Sequence, residues 1–236
     1  MESIVSLSEV AKLVIVNPKY SYCQQEIIEI IADSGAILKG HFALLSERHS
    51  EYFFRFSKIS RRPEYIALLS TFLGREVVNH LKEGIVDRID AIFGPETAGS
   101  ALVRELTRLL CSGDLGKKVN AEAIIAKTDK NKRITSVING VDLKKDNRIV
   151  LANDLTTTGS GIRALVSLAS GYDARVVGLC LIGTRRNAKE LVEELKTKLE
   201  FVEILVDFKF QEYEPGNCLL CSSEESEELV SSSMVN

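Results

Sequence analysis

The sequence lacks the two kinds of run that mark membrane and nucleic-acid proteins. No apolar stretch approaches the ~20 residues needed to span a bilayer, and no long Lys or Arg run accompanies the formal net charge of −3. The first residues, "MESIVSLSEVAKLVIV", include acids and lack the cationic region that begins a signal peptide. We therefore expect a cytoplasmic protein that acts on a small polar ligand, with no nucleic-acid or membrane partner.

A paired set of cysteines is also missing. The chain has five cysteines, and this odd, scattered set does not resemble a disulfide framework. Cys218-x-x-Cys221 has the spacing of half a zinc site, but there is no second pair, so a zinc site would need help from elsewhere, such as a partner subunit. The three histidines, His41, His49 and His80, are too dispersed in the sequence to suggest metal ligands.

What is present favours an α/β fold. The 236 residues are 45% hydrophobic, enough for one sizeable core. Apolar runs alternate with helical periods from residue 89 onward, which predicts a mostly parallel twisted sheet flanked by helices. We predict one domain over 1–221 and a disordered Ser-rich acidic tail over 222–236. Predicted helices include 27–38, 63–81 and 188–199; predicted strands are 89–93, 121–126, 148–152, 176–183 and 201–208.

Residues 149–162, "IVLANDLTTTGSGI", carry the strongest chemical signal. A buried strand runs into Asn153 and Asp154, then a hydroxyl cluster and two glycines. Ligands of parallel sheets bind beyond the carboxyl ends of strands, and N–H groups, glycines and hydroxyls at a helix start suit a phosphate. Asp154 can accept hydrogen bonds from sugar hydroxyls or hold a hydrated Mg²⁺. The plainer alternative is that the threonines cap a helix and the glycines only turn the chain.

A dinucleotide site is a second alternative. Gly159, Gly161 and Ala164 match the G-x-G-x-x-A fingerprint, and Arg185 with Arg186 would meet a 2′-phosphate. In that fold the first glycine follows the strand almost directly, whereas "NDLTTT" intervenes here. The spacing therefore favours a phosphate loop of another kind.

Several ordered motifs together resemble the type I phosphoribosyltransferases, and most closely the orotate phosphoribosyltransferases. "IVLANDLTTTGSG" resembles their binding motif for 5-phosphoribosyl 1-diphosphate (PRPP), and "GHFALLSERHSEYFFRF" resembles their N-terminal G-x-F-x-L-x-S-G-R-x-S-x-Y-F/Y. "FGPETAG" stands at their pyrophosphate loop, and "YEPGNCLLC" is similar to a C-terminal motif of some members. The resemblance runs from about Gly40 to Cys221.

The resemblance implies a role for each motif. Residues 1–62 would form a hood over the base, and the chain would work as a homodimer on PRPP and orotate with Mg²⁺ as cofactor. The PRPP site would comprise Asn153, Asp154, Thr156, Thr157, Thr158, Gly159, Ser160, Gly161, Glu96, Thr97, Ala98 and Gly99, with Asp154 meeting the metal through Mg-PRPP and water. The base would meet Phe53, Phe54, Arg185 and Arg48. Catalytic charge would come from Asp154 and from the loop residues Lys127, Lys130, Lys132 and Arg133.

Other roles remain open for some of these residues. Phe53 and Phe54 are equally well explained as a buried core pair, and Arg185 as a salt-bridged surface residue. In the PRPP motif, Asn153 stands at a position that is acidic in the family, and Thr156 and Gly161 also depart from the family pattern. In the N-terminal motif, Glu47 stands at the glycine of the S-G-R turn. The loop "AKTDKNKRITSVINGVDL" is cationic but lacks the R-K-x-x-K-x-H-G of many members. Transfer to another base, and a non-catalytic paralogue that binds PRPP or a nucleotide, are the alternative functions.

Overall fold

A computed structural model describes residues 3–44, 46–129, 133–138, 143–185, 188–222 and 229–231. In chain order the strands are β1 (Ser3–Ile4), β2 (Val14–Val16), β3 (Ile37–Ala43), β4 (His49–Phe54), β5 (Ala91–Pro95), β6 (Glu122–Thr128), β7 (Ile134–Val137), β8 (Arg148–Thr156), β9 (Arg175–Arg185), β10 (Phe201–Phe208), β11 (Glu212–Tyr213) and β12 (Val230–Ser231). The helices are α1 (Leu7–Leu13), α2 (Gln24–Asp33), α3 (Phe56–Ser60), α4 (Pro63–Lys82), α5 (Ser100–Ser112), α6 (Ser160–Gly171), α7 (Lys189–Lys198) and α8 (Leu219–Ser222).

The chain divides into two compact units. Unit 1 is residues 1–62 with 208–236, and unit 2 is residues 63–207. The first boundary coincides with the end of the predicted N-terminal segment at residue 62. The return of the C-terminal residues to unit 1 was not predicted, because no motif in that stretch indicates which part of the chain it joins.

Unit 2 contains the predicted parallel sheet. Its strands lie in the order β10-β9-β8-β5-β6-β7. The pairs β5–β6, β5–β8 and β8–β9 are parallel, and the pair β6–β7 is antiparallel. Helices α6 and α7 cover this sheet through buried apolar residues that include Leu165 and Leu191. The predicted fold class is therefore confirmed.

The predicted elements of unit 2 agree with the structure except at their ends, and strand β7 was not predicted. Helix α4 begins at Pro63, whose missing N–H is tolerated in a first helical turn. Strand β8 continues to Thr156 rather than ending at residue 152. Its polar end stays extended because Asn153, Leu155 and Thr156 pair with residues of β9. The candidate ligand loop is therefore shorter and more tightly held than the sequence predicts.

Unit 1 has its own sheet, of five strands, with β1-β3-β4-β11 in order and β12 beside β3. The helix predicted over 27–38 is wrong at its C-terminal end, because α2 stops at Asp33 and Ile37 begins β3. Gly35, at φ 62°, adopts the left-handed conformation that commonly follows a helix end.

A short part of the predicted tail forms strand β12. Val230 pairs with Phe42 of β3 and packs on a small cluster that includes Leu38. An apolar, β-branched residue can pair with an available strand even within a polar segment. Residues 223–228 and 232–236 lie outside the described residues.

Candidate active site

The sheet order of unit 2 places four predicted site segments side by side. Parallel strands end at the same edge of a sheet, so the order β9-β8-β5-β6 becomes the order Arg185, then 153–161, then 96–99, then Lys127. Neighbouring strands lie about 4.8 Å apart, so these four strand ends span roughly 14 Å. Segments from widely separated parts of the chain therefore share one edge.

The segment 96–99 forms a tight turn between β5 and α5. The Glu96 amide donates to Ala126 O at 2.7 Å, and the Ser100 amide donates to Thr97 O at 2.9 Å. The Gly99 amide donates to Thr97 Oγ1 at 3.2 Å. These bonds fix the backbone of the turn, leaving the exposed Glu96 side chain at its outer side.

Gly99 joins this turn to the end of β8. A Cβ atom at Gly99 would lie 2.8 Å from Asn153 Oδ1 and 3.2 Å from the Asp154 amide nitrogen. A larger residue at position 99 would therefore require the Asn153 side chain to move and the β8 backbone to shift slightly. The predicted pyrophosphate turn thus packs closely against Asn153 and Asp154 at the end of β8.

Asn153 and Asp154 differ in how their side chains are held. Asn153 Nδ2 donates to Leu155 O at 3.2 Å, whereas its Oδ1 is buried and accepts no hydrogen bond from the described residues. Asp154 Oδ1 accepts from the Leu155 amide at 2.8 Å. An unsatisfied buried oxygen is costly, so a donor or cation from a ligand at this point would be stabilised.

The threonine and glycine loop leads into α6. Gly159, at φ 79°, is the residue before the first turn of the helix, and the Arg163 amide donates to its carbonyl at 2.9 Å. Thr158 and Ser160 are exposed and their hydroxyls lie 3.3 Å apart. A 12-residue helix presents its free N–H groups and positive dipole end here.

Not every hydroxyl of this loop is equally accessible. Thr157 is half-buried and Gly161 is exposed, with nothing within 4 Å of a Cβ at Gly161. Thr156 is buried at the end of β8, where it pairs with Thr184. An anion would therefore meet residues 157–161 before it could reach Thr156.

Arg185 ends β9 beside this loop and is only 3% exposed. The alternative of a surface arginine is therefore excluded. Next to it, Thr184 Oγ1 donates to Asp207 Oδ1 at 3.1 Å, which fixes the end of β9 against β10. A guanidinium can recognise a carboxylate through two parallel hydrogen bonds, and Arg185 lies at the candidate ligand edge.

The cationic loop is described only in part. Lys127 is exposed on β6, directly after Ala126, which holds the Glu96 amide. Arg133 is also exposed, and its amide donates to Asp129 Oδ1 at 2.9 Å. Lys130 and Lys132 lie outside the described residues. Part of the predicted loop is strand β7, which pairs with β6.

The two predicted base-stacking rings have different environments in unit 1. Phe54 is 5% exposed and its ring centroid lies 4.5 Å from that of Phe208. Phe53 is half-buried and packs against Phe42 at 5.5 Å. Adjacent strand residues point to opposite faces, so the expectation that both rings face one base is corrected: Phe54 is a core residue, and only Phe53 remains a candidate.

Arg48 lies in the turn between β3 and β4. Its guanidinium Nη2 is 3.1 Å from Glu214 Oε1, so a base at Arg48 would compete with that carboxylate. Glu47 in the same turn has φ 64°, a conformation that costs an ordinary residue about 1–2 kcal/mol. The glycine of the family motif is the residue that avoids this cost.

Two of the histidines that are too dispersed in the sequence to suggest metal ligands lie together in the structure. His41 Nε2 and His49 Nδ1 lie 3.0 Å apart, and both approach Cys218 and Cys221. Burial, and then the neighbouring His41, lower the pKa of His49, which favours the neutral ring. His80 instead lies 2.7 Å from Glu203.

Comparisons with known proteins agree with the motifs. No family model matches the chain. An orotate phosphoribosyltransferase of Thermoanaerobacter sp. (strain X514) is 26% identical over 198 residues, which are 84% of this chain and 92% of that protein. The orotate phosphoribosyltransferase structure of Mycobacterium tuberculosis H37Rv has a TM-score of 0.57 at 16% identity, covering 76% of this chain and 94% of that one.

A structure from another branch has the same architecture. The adenine phosphoribosyltransferase of Leishmania tarentolae has a TM-score of 0.52 at 14% identity and covers 81% of this chain and 93% of that one. The chain has the type I phosphoribosyltransferase fold. The sequence likeness confirms the predicted resemblance to the orotate enzymes, and it extends over most of the length that the motifs span. A dinucleotide-binding fold is not supported.

No helix in the described part of the chain is both long enough and apolar enough to cross a membrane.

Proposed function

We propose that the chain transfers the 5-phosphoribosyl group from PRPP to orotate, giving orotidine 5′-monophosphate and pyrophosphate, a step of pyrimidine biosynthesis. The observation that carries this proposal is the contact of Gly99 with Asn153 and Asp154 beside the exposed hydroxyls of Thr158 and Ser160. It occurs in a chain that resembles orotate phosphoribosyltransferases over 84% of its length.

The parts of PRPP match three neighbouring segments. The 5′-phosphate would bind residues 157–161, where N–H groups, hydroxyls and the positive end of α6 converge. The ribose hydroxyls would donate to the Asp154 carboxylate. The pyrophosphate would lie along residues 96–99, with Lys127 at the next strand end to offset its charge. The sheet order supports this arrangement, because it places the loops in the same sequence as the parts of the substrate.

Magnesium fits the donor set at this edge. Mg²⁺ prefers oxygen ligands and retains several waters, and Asp154 with the buried Asn153 Oδ1 offers oxygens of that kind. Mg²⁺ bound with PRPP would contact Asp154 through a water molecule, and it would neutralise part of the pyrophosphate charge. It would also offset the negative charge of the nearby Glu96.

The remaining work of the protein is positioning. Displacement of pyrophosphate by N1 of orotate develops positive charge at ribose C1, so the Asp154 carboxylate would stabilise the reacting sugar electrostatically. The buried Arg185 would pair with the orotate carboxylate and hold N1 towards C1.

We infer that the active form is a homodimer, because in the family that the chain resembles a cationic loop closes over the pyrophosphate of the neighbouring subunit. The loop with Lys130, Lys132 and Arg133 would have that role, and an isolated monomer would be inactive. Sedimentation of the enzyme under assay conditions tests this inference. A fully active monomer would contradict it.

A turnover assay with PRPP, Mg²⁺ and a panel of bases tests the function. Rapid pyrophosphate release that depends on orotate is the expected result. Release with another base instead would move the proposal to that acceptor. Tight PRPP binding without turnover on any base would favour a non-catalytic paralogue. The observation that favours this alternative is Asn153, which stands where the family motif has an acidic residue.

A further inference from the structure

Unit 1 contains a cluster of four metal-ligating side chains that the proposed transfer does not use. The cluster is His41, His49, Cys218 and Cys221, and its ligand atoms all lie within 4.8 Å of one another. His41, His49 and Cys218 are buried at 4%, 7% and 2% exposure, while Cys221 is exposed. Four such side chains rarely meet by chance in one small cluster, because thiols and imidazoles are sparse in this chain, with five cysteines and three histidines.

The local structure explains how the four residues meet. In the β3–β4 hairpin Ala43 pairs with His49, and His41 lies two residues earlier on the same face, so the two imidazoles are diagonal neighbours across the strands. Tyr213 of β11 also pairs with His49. The short helical turn Pro215–Asn217 then returns the chain, and Cys218 and Cys221 reach the two rings from the side of β11.

Three distances between these ligand atoms match a tetrahedron around one ion, and a fourth is slightly shorter. Zinc binds sulfur at about 2.3 Å and imidazole nitrogen at about 2.0 Å, so neighbouring ligand atoms of a tetrahedral site lie roughly 3.3–3.8 Å apart. Here Cys221 Sγ is 3.3 Å from His49 Nδ1 and 3.6 Å from His41 Nε2, and Cys218 Sγ is 3.6 Å from His41 Nε2. The two imidazole nitrogens are 3.0 Å apart.

We propose that these residues form a structural Zn²⁺ site that fastens the C-terminal segment to the β3–β4 hairpin. Two imidazoles and two thiolates are a donor set of zinc sites, and four protein ligands leave no open position for a substrate. Two thiols release their protons to water on binding, so the ion with two thiolates and two neutral rings carries no net charge. A neutral site is compatible with the burial of three of its four ligands.

The site has a structural consequence for unit 1. His41 and His49 flank the turn that carries Glu47 and Arg48, and the turn is closed by the Leu44 amide donating to Arg48 O at 2.8 Å. One ion would hold both ends of this turn and the segment around Cys218 together. Because metal binding free energy becomes folding free energy, unit 1 is expected to lose stability when the ion is removed.

Metal content of the full chain tests the proposal, with any affinity tag removed so that tag histidines add no ligands. The wild type is expected to purify with about one zinc ion per chain. Cys221→Ser changes an exposed thiol, and its zinc content per chain is expected to be about tenfold lower than that of the wild type, or lower still. Cys111→Ser is the matched control, because Cys111 Sγ instead donates to Ala121 O at 3.2 Å, and it is expected to keep its zinc.

Two further measurements keep the proposal falsifiable if Cys221→Ser does not fold. Co²⁺ added to the metal-free wild type is expected to give the visible bands of a tetrahedral thiolate site. Removal of zinc by a chelator is expected to lower the Tm by about 5–10 °C. A folded wild type that takes up neither Zn²⁺ nor Co²⁺, a Cys218–Cys221 disulfide found by mass spectrometry, or equal zinc loss in Cys111→Ser would overturn the proposal. None of these readouts depends on phosphoribosyl transfer.

Discussion

The candidate ligand edge of unit 2 and the cluster of His41, His49, Cys218 and Cys221 in unit 1 differ in how open they are to solvent. The edge of unit 2 is built from strand ends and turns, with exposed hydroxyls at Thr158 and Ser160, which the proposed exchange of substrates would require. The cluster of unit 1 is built from side chains that are mostly buried and that face one another. An exchangeable anionic substrate needs open backbone donors, whereas a permanent ion needs a closed set of ligands.

Loss of Asp154, the one carboxylate in residues 153–161, is expected to have the largest effect. Asp154→Asn keeps the shape of the side chain but removes the charge that would stabilise the reacting sugar, so we expect kcat/KM to fall by about 10³-fold. Steady-state kinetics with PRPP and orotate measure this fall. Zinc content is expected to stay unchanged, which would separate the two sites.

Asp173→Asn is the control for Asp154→Asn. Asp173 is exposed, lies before β9 at the other edge of the sheet and has φ 57°, which Asn tolerates. It is expected to leave the kinetics unchanged. Unchanged kinetics in folded Asp154→Asn would contradict the assignment of the whole edge.

Arg185→Ala distinguishes a role of this edge in binding the base from a role in binding PRPP. If the guanidinium pairs with the orotate carboxylate, its loss costs about 3 kcal/mol of transition-state binding, or roughly 150-fold in kcat/KM for orotate. Any turnover of uracil, which has no carboxylate, would fall much less. PRPP affinity measured by calorimetry is expected to remain close to that of the wild type.

Equal losses of Arg185→Ala on orotate and uracil would mean that this buried residue supports the fold or the PRPP site. Thermal unfolding of the variant distinguishes these two cases. A large drop in Tm indicates a structural role, and a stable variant with weak PRPP binding indicates a role at the phosphate loop.

Gly99→Ala tests the contact between the two loops of unit 2. The added methyl would lie 2.8 Å from Asn153 Oδ1, and such crowding typically costs 1–3 kcal/mol. We expect PRPP to bind about tenfold more weakly, corresponding to about 1.4 kcal/mol. Gly171→Ala is the matched control, since a Cβ there meets nothing within 4 Å. Equal PRPP affinity in the two variants would contradict the contact.

Glu47→Gly is expected to have the smallest effect, and in the stabilising direction. Glycine relieves the left-handed strain at φ 64° but adds flexibility to the unfolded chain, so the net gain is about 0.5–1 kcal/mol. This gain corresponds to a Tm about 1–4 °C higher. Glu47→Ala removes the same charge and keeps the strain, so an equal Tm increase in both variants would show that charge, not backbone conformation, was responsible.

The strands and the phosphate loop of unit 2 could be predicted because each depends on residues that are close together in the sequence. Strand β10 matches its prediction at both ends, 201–208, because its apolar run is bounded on each side by polar residues. The phosphate loop could be recognised because its donors are consecutive. The contact of Gly99 with Asn153 could not, because it depends on the adjacency of β5 and β8, which periodicity does not reveal.

The cluster of unit 1 shows why contacts between residues far apart in the sequence could not be predicted. His41 and Cys218 are 177 residues apart in the sequence, and no local pattern joins them. The missed signal was the hairpin: a turn at residues 44–48 between two strands would have brought His41 and His49 to one face. The end of α2 was missed for a different reason, since the apolar pair Ile37 and Leu38 suits a buried helix and a strand equally.

The central claim is tested most directly by the stoichiometry of the reaction. Wild-type protein with PRPP, Mg²⁺ and orotate is predicted to consume orotate and release pyrophosphate in equal amounts, with orotidine 5′-monophosphate identified by mass. Omission of either PRPP or orotate is predicted to stop both changes. Folded, dimeric protein that binds PRPP but forms no orotidine 5′-monophosphate would contradict the account.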